Sequence, residues 1–378
     1  MVEIAVLGFG VVGQGVCDLL LENTKKIAHN AGTTIEVKHI LDVRDFPESP
    51  FAGKITHDFS VIETDPAVAV VVECIGGAGV AYDFTKRALQ AGKSVVSSNK
   101  ELIATHGHEL LQIAKEKGVS YLFEASVGGG VPIIRPLATC LAANAVEEVY
   151  GIINGTTNYI LSQMTRDGAS FELALKEAQD LGYAEQDPTA DVEGHDTARK
   201  ICILASLAFG SQVMPDFVKT QGITAVTKAD IDQAAQGGYK IKLLGRAVKK
   251  DGKICAFVAP HLVEDCTLLG GVEDVLNAVV VRGNAVGELL FYGPGAGAFP
   301  TASAVLADVI ACAKDPGASP IAWGLQEEGL MEDSLDLPSQ WYVRGEDGAQ
   351  FTPVLSEREL KEQYGSEITA FRILGGKA

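Results

Sequence analysis

Five carboxylates and a lysine lie close together between residues 182 and 200. The segment is GYAEQDPTADVEGHDTARK, and it leads directly into an apolar helical pattern. Asp196 and Lys200 are four residues apart, so they can meet on one face of a helix. A partly buried lysine held by carboxylates can move a proton, and carboxylates can hold the amino group of a small substrate. The composition alone also fits an ordinary helix whose acidic first turn is favoured by the helix dipole.

A glycine-rich turn stands near the start of the chain. The apolar strand predicted at Glu3 to Leu7 runs into Gly8-Phe9-Gly10-Val11-Val12-Gly13, and a helical pattern follows. In this setting GxGxxG is typical of a dinucleotide site, where the glycines permit a tight turn and a close approach of the backbone to a pyrophosphate. The helix that follows would offer its N–H groups to the phosphates. The alternative is a glycine-rich turn that binds nothing.

The end of the second predicted strand bears on the choice between NAD and NADP. Asp42 ends this strand, where an acidic residue can hydrogen-bond the ribose and favour NAD. Arg44 follows and could hold the 2′-phosphate of NADP, or be a solvated surface charge. Both cofactors therefore stay open. Asp42 lies 29 residues after Gly13, more than the usual interval of about 20, so we expect extra residues in this first crossover.

Strands and helices alternate through the first third of the chain. Apolar runs predict buried strands at 35–41, 67–74, 94–97 and 120–123. Helical patterns lie between or beside them at 16–26, 82–91 and 109–117. This alternation predicts an α/β domain with a parallel sheet covered by helices on both faces.

The middle of the chain changes character. Strands are predicted at 146–153, 240–249, 253–262 and 275–282. Helices are predicted at 158–166, 171–181, 192–209 and 303–314. We therefore expect a Rossmann-type domain over 1–130, completed by 297–315, and a second α+β domain for catalysis and dimerisation over 131–296. The remaining residues 316–378 form a short tail with predicted strands at 340–344 and 367–374 and a helix at 355–364.

Composition excludes several classes of protein. The formal net charge of −18 argues against binding nucleic acid or an anionic membrane, because both need a basic face. Apolar runs are shorter than the roughly 20 residues of a membrane span, and no signal peptide is evident, so we expect a cytoplasmic protein. The seven cysteines are scattered without ligand spacing, which argues against zinc and indicates a reducing compartment.

The chain resembles the homoserine dehydrogenase family. The resemblance is carried by the acidic segment and the glycine turn, together with four motifs in the order of the family: SNK at 98–100, EASVGGGVP at 124–132, GIINGTT at 151–157 and GPGAGAFPT at 293–301. It implies an NAD(P)-dependent oxidoreductase that interconverts L-homoserine and L-aspartate 4-semialdehyde in threonine and methionine biosynthesis. It also implies a homodimer.

The resemblance implies a role for each matching residue. Lys200 is the implied proton donor and acceptor at the substrate hydroxyl, Asp196 orients the substrate or Lys200, and Lys100 is a second candidate for proton transfer. The implied substrate contacts are Thr156, Tyr183, Glu185 and Asp191, with Glu185 on the amino group. Together with Arg44, the expected cofactor contacts are Gly8, Phe9, Gly10, Val11, Val12, Gly13, Ser98, Lys100 and Gly297.

The glycine-rich segment at 124–132 is similar to a structural sodium site of the family. The implied ligands are the Glu124 carboxylate and the carbonyl oxygens of Val127, Gly129 and Val131. Hard oxygen ligands suit such a cation. The alternative is a turn that links two domains.

The resemblance weakens at the tail. Many family members end in a complete regulatory ACT domain, a βαββαβ unit that senses threonine, whereas residues 316–378 hold at most half of one, so inhibition by threonine is in question. The half unit would have to dock on its own chain or on a partner to bury Trp341, Tyr342, Phe371 and Ile373.

Two other functions remain as alternatives. A semialdehyde dehydrogenase acting through an acyl-thioester needs an activated cysteine, and none of the seven lies in a catalytic-looking motif. A non-catalytic nucleotide-binding regulator would have lost its acid–base groups. Lys100, Glu185, Asp191, Asp196 and Lys200 are all present, which weighs against this second alternative.

Overall fold

A computed structural model describes residues 1–345, 348–366 and 368–375. Its first sheet has six strands: β1 (Val2–Leu7), β2 (Ile35–Leu41), β3 (Ile55–Thr56), β4 (Val68–Glu73), β5 (Ser94–Ser97) and β6 (Tyr121–Leu122). All the pairings are parallel, and the order across the sheet is β3-β2-β1-β4-β5-β6. This is the strand order of a dinucleotide-binding Rossmann fold.

The second sheet has nine strands. They are β7 (Val146–Ile152), β8 (Lys219–Thr220), β9 (Tyr239–Lys250), β10 (Lys253–Glu264), β11 (Leu276–Gly283), β12 (Gly287–Pro294), β13 (Gln340–Gly345), β14 (Gly348–Phe351) and β15 (Ala370–Ile373). The order is β12-β11-β7-β9-β10-β15-β13-β14, with β8 paired to β10. β10 pairs in parallel with β8 and β15 and the other pairings are antiparallel, so the second sheet is mixed, which fits the predicted α+β domain.

α-Helices connect many of these strands, whereas β9 and β10, and likewise β11 and β12, follow each other directly. They are α1 (Val11–Glu22), α2 (Thr24–Ala31), α3 (Phe59–Thr64), α4 (Gly79–Gln90), α5 (Lys100–Lys117), α6 (Gly155–Arg166), α7 (Phe171–Asp180), α8 (Thr189–Val192), α9 (His195–Phe209), α10 (Lys228–Gln236), α11 (Ala298–Lys314) and α12 (Glu357–Tyr364). Among the described residues, no helix combines the length and the apolar character that crossing a membrane would require.

The described chain forms two compact units. The first unit comprises 1–143, 210–212 and 296–325, and the second comprises 144–209, 213–295 and 326–378. The predicted fold class, a parallel Rossmann-type sheet followed by an α+β region, is confirmed. The domain boundaries proposed from the sequence stay a prediction.

Several elements differ from the sequence-based expectation. The extra residues between Gly13 and Asp42 form the additional helix α2, which follows α1 after a single residue. Helix α5 begins at Lys100, nine residues before the predicted start at Glu109. Strand β12 was not predicted, and it forms one edge of the second sheet.

The described part of the tail from residue 326 belongs to the second unit and extends its sheet. Strand β15 pairs in parallel with β10, and β13 pairs with β15. Trp341, Tyr342, Phe371 and Ile373 are all buried, as the apolar pattern requires. The predicted last strand began at Glu367, which lies outside the described residues.

Candidate active site

The glycine turn joins β1 to α1 in the first unit. Gly8 has a φ of +88°, a conformation that favours glycine. A Cβ on Gly13 would lie 2.0 Å from the Gly8 carbonyl oxygen, so only glycine fits there without a backbone shift. Helix α1 begins at Val11, and no side chain caps its first turn. Its first N–H groups therefore point to a ligand or to solvent, as in a phosphate-binding helix terminus.

A cavity of about 580 Å³ opens beside this turn in the first unit. Its lining comes from the ends of β1, β2 and β4 and from α4: Gly8, Gly10, Leu41, Asp42, Val43, Arg44, His57, Cys74, Ile75, Gly76, Val80 and Phe84. No atom lies within 4 Å of the position a Cβ on Gly10 would occupy, so a ligand can approach the backbone there. Position, shape and lining all fit a dinucleotide at the switch point of the sheet.

Asp42 links the glycine turn to Arg44. One carboxylate oxygen accepts the Phe9 backbone N–H at 2.7 Å, and the other accepts both the backbone N–H and the Nε–H of Arg44 at 3.0 Å. The Arg44 guanidinium holds the pKa of Asp42 at about 2, well below its usual range. The side chain of Arg44 stays 59% exposed beside the cavity, so it can still reach an anionic ligand.

The other predicted cofactor contacts also belong to the first unit. The Ser98 N–H donates to the Glu73 carbonyl, and Lys100 is the first residue of α5, whose N-terminus is capped by the Asn99 side chain. Gly297 precedes α11 with a φ of +119°. Helix α11 packs so closely on α1 that a Cβ on Gly15 would lie 2.9 Å from the Ala298 carbonyl oxygen.

The acid–base residues belong to the second unit. Helix α9 begins at His195, so Asp196 and Lys200 lie one turn apart, as the spacing predicted. Lys200 Nζ is 2.7 Å from Asp196 Oδ2 and donates to the Ile153 carbonyl at 2.7 Å. The Lys200 side chain is only 12% exposed. A lysine with little contact with water, fixed by a carboxylate and a carbonyl, is held in one position.

Asn154 connects the acidic residues, although its position in the sequence did not predict this role. Its amide nitrogen donates to Asp191 Oδ1 at 2.6 Å and to Asp196 Oδ2 at 2.9 Å. Its amide oxygen accepts the Thr157 N–H at 2.8 Å and so caps α6. Asn154 therefore fixes both carboxylates relative to the start of α6. An asparagine between a strand and a helix was the available sequence signal, but it indicates a cap and not these contacts.

Three further residues were predicted to contact the substrate, and they differ in the contacts that they make within the chain: Thr156, Tyr183 and Glu185. Thr156 Oγ1 donates to the Tyr183 carbonyl at 2.7 Å, which ties the start of α6 to the loop after α7. The Tyr183 ring meets Tyr159 edge to face at 5.1 Å. The Glu185 side chain is exposed and makes no hydrogen bond to another described residue, so its carboxylate can accept a ligand ammonium.

The predicted sodium segment lies in the first unit. The Glu124 carboxylate accepts hydrogen bonds from the backbone N–H groups of Ile133, Ile134 and Arg135 at 2.7–2.9 Å. The Glu124 N–H donates to buried Asp308, whose pKa is raised to about 7 by its burial. A carboxylate has about four acceptor positions, so three amides leave it room for one further contact.

The thiol at the cavity and the buried thiols of the first unit do not resemble catalytic nucleophiles. Cys74 lines the cavity, and burial raises the pKa of its thiol well above its usual range. Burial also raises the pKa of the Cys17 and Cys312 thiols, to about 12. A thiol with a raised pKa is mostly protonated near neutral pH and reacts slowly. The alternative of an acyl-thioester enzyme therefore lacks its nucleophile at this cavity.

Two family models match the chain. The model described as the NAD binding domain of homoserine dehydrogenase matches residues 8–124, and the homoserine dehydrogenase model matches residues 132–310. The homoserine dehydrogenase of Pseudomonas aeruginosa is 42% identical over 95% of this chain and 86% of that protein. The homoserine dehydrogenase of Bacillus subtilis is 41% identical over 94% and 85%, respectively.

Solved structures agree with these matches. A homoserine dehydrogenase from Thiobacillus denitrificans gives a TM-score of 0.90 at 33% identity and covers 98% of each chain. A hyperthermophilic archaeal homoserine dehydrogenase in complex with NADPH gives a TM-score of 0.69 at 28% identity, covering 82% of this chain and 96% of that one. The similarity thus extends over both units, including the cavity and the group around Lys200.

Proposed function

This chain belongs to the homoserine dehydrogenase family, and we propose that Lys200, oriented by Asp196, is the proton donor and acceptor of its reaction. The protein is an NAD(P)-dependent oxidoreductase that acts on the hydroxyl group of homoserine and interconverts L-homoserine with L-aspartate 4-semialdehyde. The observation that carries the proposal is the position of Lys200 Nζ, 2.7 Å from both Asp196 Oδ2 and the Ile153 carbonyl oxygen.

Lys200 would move the proton at the hydroxyl oxygen of the substrate. During oxidation the alcohol must lose this proton, and during reduction the carbonyl oxygen must gain one. Asp196 and the Ile153 carbonyl hold Nζ in place, so the lysine is oriented before the substrate arrives. Asn154 in turn orients Asp196. Lys100 remains the second candidate for proton transfer.

Substrate binding is assigned to the loop and helix start around this pair. Glu185 would hold the charged amino group of homoserine, Asp191 would also contact the substrate, and Thr156 and Tyr183 would line the same pocket. The exposed Glu185 carboxylate and the fixed Asp191 carboxylate support this assignment.

The cofactor would lie in the cavity of the first unit. Gly8 to Gly13 and the uncapped start of α1 would hold the pyrophosphate, and Arg44 would reach the ribose end. Val11 and Val12, Ser98, Lys100 and Gly297 complete the proposed contacts. When bound, the nicotinamide supplies the hydride acceptor or donor, while the residues of the chain supply binding, orientation and the proton.

The direct test is an activity assay that follows the absorbance of the reduced nicotinamide. The protein is mixed with L-homoserine and either NAD or NADP, and the ratio of kcat/KM for the two cofactors measures the preference. Formation of reduced cofactor only when homoserine is present is the expected result. Absence of activity with both cofactors, in a protein that binds them, would favour a nucleotide-binding regulator.

Three further assignments belong to the proposal. A place in threonine and methionine biosynthesis is proposed from the family resemblance, and a cytoplasmic location is proposed from the sequence. A homodimer is supported by the family resemblance and by the strand-rich second unit. A structural sodium ion held by Glu124, Val127, Gly129 and Val131 is supported by the glycine-rich turn, in which Gly128 and Gly129 have positive φ.

We predict that Glu185→Gln weakens homoserine binding and leaves cofactor binding nearly unchanged. Losing one charge-assisted hydrogen bond to an ammonium should raise KM for homoserine by on the order of tenfold. Steady-state kinetics with homoserine and a fluorescence titration with NADPH measure the two quantities. Exposed Glu116, on α5, supplies the control variant Glu116→Gln. An equal loss of NADPH affinity would move Glu185 to the nucleotide site.

We also predict that L-threonine does not inhibit through the tail. From the sequence, the tail holds at most half an ACT-like unit, and its strand β15 pairs with β10 of the same chain. Allosteric control needs a second site and two states that its ligand shifts. Threonine should leave the rate unchanged at saturating homoserine and compete weakly at low homoserine, because it is a structural analogue. A cooperative loss of activity at saturating homoserine contradicts this prediction.

A further inference from the structure

Glu73 is a fully buried carboxyl group directly behind the cofactor cavity. It is the last residue of β4, between β1 and β5, and its side chain is 0% exposed. No ion pair to Glu73 occurs among residues 1–345, 348–366 and 368–375. Burying a carboxyl group without a cation costs free energy, so an apolar residue would suit a core position better. Burial raises the pKa of Glu73 to about 7, which reflects this cost.

The Glu73 side chain bonds to the loop after β4, which lines the cavity, and to the end of β5. Oε1 accepts the backbone N–H of Ile75 at 2.7 Å, and Ile75 lines the cavity together with Cys74 and Gly76. Oε2 accepts the Ser97 hydroxyl at 2.5 Å. One carboxyl group therefore joins the loop after β4 to the end of β5.

The same network continues to the start of α5. Ser97 Oγ accepts the Asn99 backbone N–H at 3.0 Å, and the Asn99 side chain donates to the carbonyl oxygens of Ile75 and Gly77 at 2.9 and 2.7 Å. Asn99 also caps α5 through the Leu102 N–H. Lys100, a proposed cofactor contact, is the first residue of that helix. The loop at 74–77 and the residues 98–100 are thus fixed to each other through Glu73, Ser97 and Asn99.

We propose that Glu73 is a positioning residue that holds the loop at 74–77 and the start of α5 in the arrangement that binds the dinucleotide. The inference rests on the proposed function, because it assumes that the dinucleotide occupies this cavity. Glu73 does not line the cavity, so its effect is exerted through Ile75, Ser97 and Asn99.

Two substitutions of similar size separate this role from simple core packing. Glu73→Gln keeps an oxygen for the Ile75 N–H and can donate to Ser97 Oγ, so its Kd for NADPH and NADH should stay within about threefold of wild type. Glu73→Leu fills the space but leaves the Ile75 N–H and the Ser97 hydroxyl without their acceptor. Its Kd should rise by on the order of tenfold or more.

Fluorescence titration with NADPH and with NADH measures these constants, and thermal unfolding checks that each variant is folded. Glu36→Gln, at an exposed position on β2, is the control. At saturating cofactor, Glu73→Leu should keep kcat near wild type, because weaker cofactor binding raises the KM for the cofactor and does not change kcat. If Glu73→Leu does not fold, Ser97→Ala removes the central hydroxyl with a smaller change, and a rise in its Kd is then expected.

The outcomes are distinguishable. A folded Glu73→Leu or Ser97→Ala variant that binds both dinucleotides within threefold of wild type overturns the inference and leaves the proposed function intact. A Glu73→Gln variant as weak as Glu73→Leu also overturns it, because hydrogen bonding would then not be the cause. A wild-type protein that binds neither dinucleotide contradicts the proposed function itself.

Discussion

Replacing Lys200 with alanine is expected to lower kcat by on the order of 10²–10⁴, the usual range for loss of a general acid–base group. The change removes the Nζ atom that lies between Asp196 and the Ile153 carbonyl. KM for the cofactor should change little, since Lys200 is not among the proposed cofactor contacts and does not line the cavity. Steady-state kinetics in both directions of the reaction measure kcat and the two KM values.

Lys200→Arg makes this test sharper. Arginine can keep an ion pair with Asp196, but it does not lose its proton in proteins. If proton transfer is the role of Lys200, the arginine variant should lose activity to nearly the same extent as the alanine variant. Lys176→Ala, an exposed lysine on α7, controls for general loss of charge. Wild-type kcat in Lys200→Arg would refute the assignment, and Lys100 would become the leading candidate.

The sequence predicted those parts of the site that depend on local spacing. The glycine turn between a strand and a helix follows from adjacent residues, as does the pairing of Asp196 with Lys200 across one helical turn. Contacts between distant residues could not be predicted in this way. Asn154 reaches Asp191 and Asp196, which lie 37 and 42 residues farther along the chain. No periodicity connects such positions.

A contact between distant residues also explains why the predicted start of α5 was nine residues too late. Gly107 interrupts the helical pattern, and glycine inside a helix is unfavourable by about 1 kcal/mol relative to alanine. A Cβ at this position would lie 2.5 Å from the ring of Trp323, which packs there from a remote part of the chain. The glycine therefore permits a long-range contact and does not end the helix. Asn99, an N-cap residue directly before Lys100, was the local signal of the true start.

The apolar pattern of the tail predicted that its aromatic residues are buried but not what covers them. The covering surface includes a buried arginine. Arg372, in β15, is 2% exposed, and its guanidinium lies 4.2 Å from the Trp341 ring centre and 4.8 Å from that of Phe257. Its N–H groups donate to four acceptors at 2.7–3.1 Å: the carbonyls of Ser334 and Leu337, the Ser339 hydroxyl and the Glu357 carboxylate. One side chain thus connects Phe257 of β10 to residues 334–339, to β13 and to α12 of the tail.

We predict that Arg372→Met lowers the free energy of unfolding of the second unit by about 3–5 kcal/mol, the range for breaking a buried ion pair by removing one partner. Methionine fills much of the space between the two rings, so most of the loss comes from acceptors left buried without donors. Chemical denaturation followed by tryptophan fluorescence measures this free energy of unfolding, and Trp341 reports on the tail directly.

The control variant Arg358→Met removes an exposed arginine that contacts Asp336, and it should leave the free energy of unfolding unchanged. At low temperature the folded Arg372→Met protein should keep its kcat, because Arg372 contacts none of the residues assigned to catalysis. Wild-type stability in Arg372→Met would show that the tail is held by its apolar contacts alone, whereas a loss of kcat in the folded variant would show that the tail acts on the catalytic residues.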